Sequence, residues 1–196
     1  MKKGLIVIVI ILAVVLIGGC QSCNTYNSLV EKEQLVENKW ADVENQYQRR
    51  SDLIPNLVNT VKGAANFEKS TLTDVINARA SATQIKVDPK NLTPDQIQKF
   101  QAAQGQLSQA LGRLMVVSER YPELKATQNF TDLQVQLEGT ENRITVARKN
   151  FNEAVKDYNV SVKRFPANIF SGMFGFKEKG MFQAQAGAEK VPEVSF

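Results

Sequence analysis

Apolar residues recur at helical spacing along most of the chain. In the first of three runs, steps of four and three residues alternate, and this period of 3.5 residues is typical of helices that pack side by side. Its members are Val36, Trp40, Val43, Tyr47, Arg50, Ile54, Leu57, Val61 and Ala64. The run predicts a first helical region over residues 26–85, with Arg50 interrupting its apolar seam.

Two residues weaken this first helical region. Pro55 has no backbone N–H to donate, and its ring clashes with the carbonyl one turn earlier. Gly63 has a low helix propensity. A straight helix over this region would measure up to about 90 Å. We predict a kink near Pro55, with Gly63 as a second weak point.

Two further runs predict two further helices. The second run starts at Thr93, which forms a capping-box pattern with Gln96 around Pro94. Its apolar members are Ile97, Phe100, Ala103, Leu107, Ala110, Leu114 and Val117. The third run starts near Asn129 and lasts until Phe165, and its members are Phe130, Leu133, Leu137, Thr140, Ile144, Ala147, Phe151, Ala154 and Tyr158.

Long helices with one apolar stripe are stable only when the stripes pack against one another. Residues 87–92 and 122–128 lie between the runs and are the predicted loops. Asn-Gly and Asp-Gly hairpin signals are absent from the sequence, and alternation with a period of two does not persist. We therefore predict an all-α fold, a long antiparallel helical bundle with three main helices.

The N-terminus carries an apolar run, GLIVIVIILAVVLIGG at residues 4–19, behind Lys2 and Lys3. A helix of this length spans roughly 24 Å, slightly less than the ~30 Å hydrocarbon core of a bilayer. The run predicts an N-terminal membrane anchor, as a single transmembrane helix or as a cleaved signal segment. With the two lysines on the cytoplasmic side, the bundle is expected on the extracytoplasmic side of the cell membrane.

Both cysteines lie at the end of the apolar run. Residues 17–20 read Ile-Gly-Gly-Cys and resemble a bacterial lipobox, so lipidation of Cys20 is an alternative mode of anchoring. Cys20 and Cys23 have C-x-x-C spacing, but no second such pair and no histidine completes a zinc site. We interpret Cys23 as an incidental thiol near the membrane.

Composition narrows the function classes. The sequence contains no histidine, which excludes Ser-His-Asp and Cys-His nucleophile pairs and HExxH zinc sites. The formal net charge is +4, and the basic residues are scattered among acidic ones instead of forming the stripe that nucleic acids require. We predict no catalytic residue, no cofactor, no metal and no nucleic-acid partner, and therefore a protein that is not an enzyme.

Arg49, Arg50 and Asp52 beside Pro55 form the most unusual polar cluster. One interpretation is an Arg49–Asp52 pair on a solvated helix, with the stem of Arg50 stretched along the bundle. The other is that a bend at Pro55 lets the arginines bind a carboxylate or phosphate of a partner or lipid. A second polar cluster, which includes Glu141, is typical of surface ion pairing.

Six of the ten phenylalanines lie from residue 165 onward. This is more apolar area than a disordered tail carries, so the rings are expected to find a surface. Residues 166–196 are expected to pack on the bundle, or alternatively on the bilayer or a partner.

Several collinear segments resemble the LemA family of bacterial envelope proteins. They are YNSLV at residues 26–30, QYQRRSDLIPNLVNTVKG at 46–63, LEGTENRITVARKNFNEAVKDYN at 137–159 and RFPANIFSGMFGF at 164–176. The resemblance implies an N-terminal membrane segment followed by a mostly helical bundle. It implies no established reaction, cofactor or catalytic set.

These observations predict three parts: an anchor at residues 1–23, a LemA-like bundle at 24–165 and a C-terminal segment at 166–196. The function that we expect is a membrane-anchored, non-enzymatic scaffold or adaptor of the cell envelope that acts through protein–protein interaction. The alternative is a ligand- or lipid-binding sensor module. The expected partners are membrane lipid and an unidentified envelope protein, and self-association is left open.

Overall fold

The structure is a computed structural model that describes residues 2–63 and 67–184, and within residues 2–22 it describes the side chains of Ile6 and Leu12 alone. These residues form helices and connecting segments, with no strand among them. The helices are α1 (Lys2–Lys62), α2 (Lys69–Gln84), α3 (Pro94–Ser118), α4 (Pro122–Lys125), α5 (Gln128–Lys163) and α6 (Ala167–Phe174). The predicted all-α fold is confirmed.

The four long helices form a bundle of two close pairs. α1 and α5 are antiparallel, since Lys32 of α1 donates to Ser161 and Arg50 of α1 pairs with Glu141. α2 and α3 are also antiparallel, because Asp74 near the start of α2 faces Arg113 near the end of α3. Short connections between antiparallel neighbours are the normal way to build such a bundle.

The predicted first helical region is two helices, so the bundle has four main helices and not three. α1 passes through Pro55 and ends at Lys62, and α2 starts at Lys69. The break follows Gly63, whose N–H donates to the Thr60 carbonyl in a tight turn. Gly63 was the second weak point of the sequence, and it is where the first helix ends.

Pro55 is tolerated inside α1 because a neighbouring helix replaces its missing donor. In a regular helix, residue 55 would donate its N–H to the carbonyl of Ser51. Here Nε of Arg79, on α2, donates to that carbonyl at 2.9 Å. The Pro55 ring itself is exposed. The proline therefore opens an acceptor on α1 that ties α2 to it.

This arrangement predicts that Arg79 and Pro55 are coupled. Arg79→Ala leaves the Ser51 carbonyl without its donor and should lower the free energy of unfolding by about 1 kcal/mol. Pro55→Ala restores the backbone N–H, so Arg79→Ala should cost clearly less in that background. Denaturant unfolding of the four variants of this double-mutant cycle measures the coupling.

Arg113→Ala is the matched control. Arg113 also joins two helices, but its side chain is well exposed and its ion pair with Asp74 is long, at 3.7 Å. Its effect should stay within about 0.5 kcal/mol. An equal cost of Arg79→Ala in both backgrounds would contradict the role given to Pro55.

The core has two apolar halves stacked along the bundle. One half surrounds Trp40 and Tyr47 of α1 and includes the middle and C-terminal part of α5. The other surrounds Ile54 and Leu57 and includes most of α2 and the end of α3. The predicted apolar stripes line both halves, and the predicted Thr93 capping box starts α3. Arg50 lies on α1 between the two halves.

The N-terminal part of α1 extends beyond this core. Leu29 is the first buried residue described on the helix, and both described side chains before residue 23, Ile6 and Leu12, are exposed. α1 crosses the predicted boundary at residue 23 without a break. In the part of the chain that the structure covers, no helix combines the length and apolar character needed to cross a membrane.

Candidate functional site

Arg50 is the centre of a buried polar layer between the two apolar halves of the core. It occupies a seam position of α1, so its side chain points into the bundle, and only 2% of it is exposed. One guanidinium nitrogen, Nη1, donates to Glu141 at 2.8 Å and to Ser108 at 2.9 Å. The other, Nη2, donates to the side-chain oxygen of Gln104 at 2.7 Å and to its carbonyl at 3.3 Å. Arg50 thus joins α1, α3 and α5.

The surroundings of Arg50 explain why a buried charge is tolerated there. Glu141 is 54% exposed, so its carboxylate keeps much of its hydration while it neutralises the guanidinium. The guanidinium also lies 5.0 Å from the centroid of the Tyr47 ring. An external carboxylate or phosphate would have to displace Glu141 to reach Arg50.

Arg49 and Asp52, the two other predicted contact residues, point away from Arg50. Both are exposed on the outer face of α1. Asp52 accepts a hydrogen bond from Gln48 at 2.7 Å, and no Arg49–Asp52 ion pair occurs among the described residues. The three residues therefore do not converge on one site, and a partner or anion contact through them stays a prediction.

A cleft of about 380 Å³ opens beside the Arg50 layer. Residues of α1, of the α2 C-terminus and of α3 line it, among them Glu44, Tyr47, Ser51 and Gln104. Ser51 is buried, and its hydroxyl has no hydrogen-bond partner in the described part of the chain. The volume falls in the range of small-molecule sites, roughly 300–1,000 Å³.

Two titratable groups of the cleft have shifted pKa values. Partial burial raises the pKa of the Glu44 carboxyl. Burial also raises the pKa of Tyr47, against the opposing charges of Arg148 and Arg50. Glu44 and Ser51 are seven residues apart on α1, roughly 10 Å, so they do not form a nucleophile and base pair.

A second ordered feature is the C-terminal segment at residues 175–184, which we call the C-terminal strap. It is an extended segment that follows α6 and runs back along α5. Asn159 exchanges two hydrogen bonds with the backbone of Lys179, at 2.8 and 2.9 Å. Asn152 does the same with Phe182, both at 2.9 Å.

The spacing of these contacts matches the two backbones. Asn152 and Asn159 are seven residues apart, which is roughly 10.5 Å along a helix. Lys179 and Phe182 are three residues apart, which is roughly 10 Å along an extended chain. Gln101 of α3 adds two more bonds with the backbone of Gln183, at 2.8 and 3.1 Å. Amide side chains thus hold the strap by its backbone.

Three residues, Lys179, Gly180 and Phe182, fix the register of the strap. Lys179 is buried and pairs with Glu33 at 2.9 Å. Gly180 donates to the Leu92 carbonyl at 2.7 Å, and a Cβ there would lie 2.7 Å from the Pro94 Cα. Phe182 enters the core. Its ring centroid lies 6.0 Å from that of Trp40, 5.5 Å from that of Phe151 and 6.4 Å from that of Phe100.

The sequence of this helical chain matches a known protein family. A sequence model described as the LemA family matches residues 39–196. The chain belongs to the LemA family. The match covers α1 from Lys39 onward, the remaining helices and the strap, and it confirms the LemA resemblance. Of the four resembling segments, those at 46–63, 137–159 and 164–176 lie within it.

Curated relatives of this LemA-family chain include magnetosome proteins and a protein named LemA. Magnetosome protein MamQ 2 of Paramagnetospirillum magneticum is 26% identical over 181 residues, which cover 84% of this chain and 66% of that protein. Magnetosome protein MamQ of Magnetospirillum gryphiswaldense is 25% identical over the same shares. Protein LemA of Metamycoplasma hominis is 22% identical over 81% of this chain and 68% of its own. The chain spans just under two thirds of the MamQ relatives.

The remaining predictions on sites concern the cysteines and metals. The side chain of Cys20 lies outside the described residues, so its lipidation stays a prediction. Cys23 is an exposed free thiol. Among the described residues, no group of three or more acidic or cysteine side chains is placed to hold a metal ion.

Sequence reasoning missed the amide side chains that hold the strap. Asn152, Asn159 and Gln101 sit on helices with ordinary polar neighbours, and nothing in the local pattern distinguishes them. A usable signal was the spacing of seven residues between the two asparagines. That spacing acquires meaning only once the extended partner segment is known.

Gly180→Ala is expected to release the strap of this LemA-family protein. The added methyl group would collide with the Pro94 backbone, which cannot move aside as a flexible side chain would. Overpacking of this kind should lower stability by about 2 kcal/mol. Thermal unfolding and amide hydrogen exchange at Phe182 measure the effect.

Gly172→Ala is the matched control for this prediction. Gly172 lies inside α6, and a Cβ there meets no atom within 4 Å. It should leave strap protection unchanged and stabilise α6 slightly, by up to about 1 kcal/mol. If both alanine variants protected the Phe182 amide equally, the close approach of Gly180 to Pro94 would not control docking.

Proposed function

We propose that this protein is a membrane-tethered, non-enzymatic helical adaptor of the bacterial cell envelope that acts through protein–protein interaction. The observation that carries the proposal is the continuity of α1. One helix contains both the apolar N-terminal run and the seam residues of the bundle. A bundle joined in this way to an anchor is held at a set distance and orientation from the membrane.

The dimensions of α1 support the tether. From Gly4 to Leu29 the helix covers 25 steps, or roughly 38 Å. The anchor is the apolar run at residues 4–19, as a transmembrane helix or through lipid on Cys20. Lys2 and Lys3 orient the bundle toward the extracytoplasmic side.

Two further observations support an adaptor over an enzyme. Ser51 and Glu44 both line the cleft beside Arg50 but are roughly 10 Å apart along α1, too far to act as nucleophile and base. The MamQ relatives are named for a cellular structure, the magnetosome, and not for a reaction. Both favour a protein whose work is to hold other components, including a second copy of itself.

Fractionation of cells tests the tether. The full chain should stay in the membrane pellet through an alkaline wash, and a variant that lacks residues 4–19 should move to the soluble fraction. Incorporation of a labelled fatty acid separates the two modes of anchoring, because only a lipoprotein would take up the label, and Cys20→Ser should then abolish it. Labelling of Cys23 by an impermeant maleimide on intact cells reports the side of the membrane.

Site-specific cross-linking tests the adaptor. A photo-reactive residue at the exposed Val135 or Val146 of α5 should capture a defined envelope protein or a second copy, whereas one at the buried Leu107 should not. Turnover by the purified protein, or absence of any captured protein at every exposed position, would contradict the proposal.

The cleft favours a second candidate function, a ligand-binding sensor. The buried Ser51 hydroxyl without a partner is a free hydrogen-bonding group in a cavity of suitable size. Native mass spectrometry after gentle purification should then show a bound small molecule. Thr83→Trp, at the cleft wall, should abolish this binding, and Thr73→Trp, exposed elsewhere on α2, should preserve it.

A further inference from the structure

We propose that α6 and Phe165, two residues before it, form a second membrane contact, lying on the surface of a bilayer that contains anionic lipid. The inference rests on the proposed tether, because the tether places this end of the bundle near the membrane. It adds a surface that α1 alone does not supply. We define this α6 patch as Phe165, Ile169, Met173 and Phe174.

α6 turns large apolar side chains away from the bundle. Among its described side chains, Ala167 and Ser171 are buried, whereas Ile169 and Met173 are 61% and 71% exposed. A helix on a water-soluble surface normally turns its large apolar side chains inward. Ile169 and Met173 face outward instead.

Two more exposed phenylalanines lie at the ends of α6. Phe165, just before the helix, is 74% exposed, and Phe174, at its end, is 45% exposed. Single exposed apolar residues are common on proteins, but four large ones within ten residues form a patch. Such patches mark surfaces that contact a protein or a membrane.

The position of the patch selects the membrane. The centroid of the Tyr26 ring lies 5.1 Å from that of Phe174 and 5.7 Å from that of the buried Phe176. Tyr26 follows the apolar run of α1 by seven residues, roughly 10 Å of helix. A bilayer that holds residues 4–19 would therefore begin close to the α6 patch, with Tyr26 at the depth where interfacial tyrosines are common.

The charges around the patch suit anionic lipid. Arg164 and Lys177 flank the patch, are exposed, and make no ion pair within the described part of the chain. Lys163 is nearby and is paired with Glu178 at 2.8 Å. Basic residues that border an outward apolar face are typical of helices that lie in the membrane interface.

Tryptophan quenching by brominated lipid tests the α6 patch in the full chain. Trp40 is the only tryptophan of the sequence and is fully buried, so it gives a constant background. Ile169→Trp places a probe in the patch, and Val116→Trp places one at a site on α3 that is at least as exposed, at the far end of the bundle. Each variant is reconstituted in phosphatidylglycerol–phosphatidylcholine vesicles with and without bromine on the acyl chains.

The proposal expects brominated vesicles to quench Ile169→Trp and to leave Val116→Trp and the parent chain unchanged. Arg164→Glu with Lys177→Glu should reduce this quenching, and vesicles of phosphatidylcholine alone should do the same. Circular dichroism and the Trp40 emission check that each variant is folded.

Co-sedimentation of the same vesicles separates the two proposals. If the chain sediments with vesicles but Ile169→Trp is quenched no more than Val116→Trp, the α6 contact is overturned and the tether stands. If the parent chain does not sediment, the tether fails and the inference fails with it. Quenching that is insensitive to the charge reversals and to lipid charge would overturn the anionic-lipid part.

Discussion

Arg50→Ala should lower the free energy of unfolding by about 3 kcal/mol, the lower end of the range for breaking a buried ion pair. The truncation leaves a cavity between the two halves of the core and removes the donors for Gln104, which is itself buried. Glu141 is half exposed and regains hydration, and this limits the loss. Urea unfolding followed by circular dichroism measures it.

Neighbouring substitutions separate the causes of this loss. Arg49→Ala, one residue away and exposed, should change stability by less than about 0.5 kcal/mol. Arg50→Met keeps most of the volume without the charge and should cost less than Arg50→Ala. Equal effects of Arg49→Ala and Arg50→Ala would show that the buried layer does not hold the three helices together.

Phe182→Ala should cost about 3 kcal/mol, in the range for truncation of a buried phenylalanine. The ring fills the space between Trp40, Phe100 and Phe151, and the guanidinium of Arg148 lies 4.7 Å from its centroid. Its loss should also loosen the Asn152 bonds to the same residue. Trp40 fluorescence should shift to the red as water reaches the indole.

Met181→Ala is the control for Phe182→Ala. Met181 lies in the same strap but is 38% exposed, so its truncation should cost well under half as much. Unchanged Trp40 emission in Phe182→Ala would contradict the aromatic contact. A loss of strap protection without global unfolding would show that the strap opens as a separate unit.

Local patterns predicted most of the helical framework. The 3.5-residue stripes identified the buried faces of α1, α3 and α5, and the Thr93 pattern located the start of α3. These predictions succeed because helix periodicity and capping depend on residues within one or two turns.

The division of the first helical region was harder to predict. Pro55 is the stronger helix breaker by intrinsic cost, yet α1 passes through it and ends at Lys62, next to Gly63. The reason is the Arg79 donor, which lies on a different helix and offsets part of the cost of the proline. A partner separated by 28 residues cannot be read from local propensity.

The spacing of apolar residues is sufficient to predict amphipathic helices behind an apolar run, because both are local properties of the chain. It does not predict that Arg50 is buried inside the bundle, or that Lys179 and Phe182 are buried while Ile169 and Met173 are exposed. The buried pair, Lys179 and Phe182, and the exposed pair, Ile169 and Met173, lie within fourteen residues of one another, and their composition does not distinguish them. Which side chains are buried depends on the surfaces that distant helices present, and these exist only once the bundle has assembled.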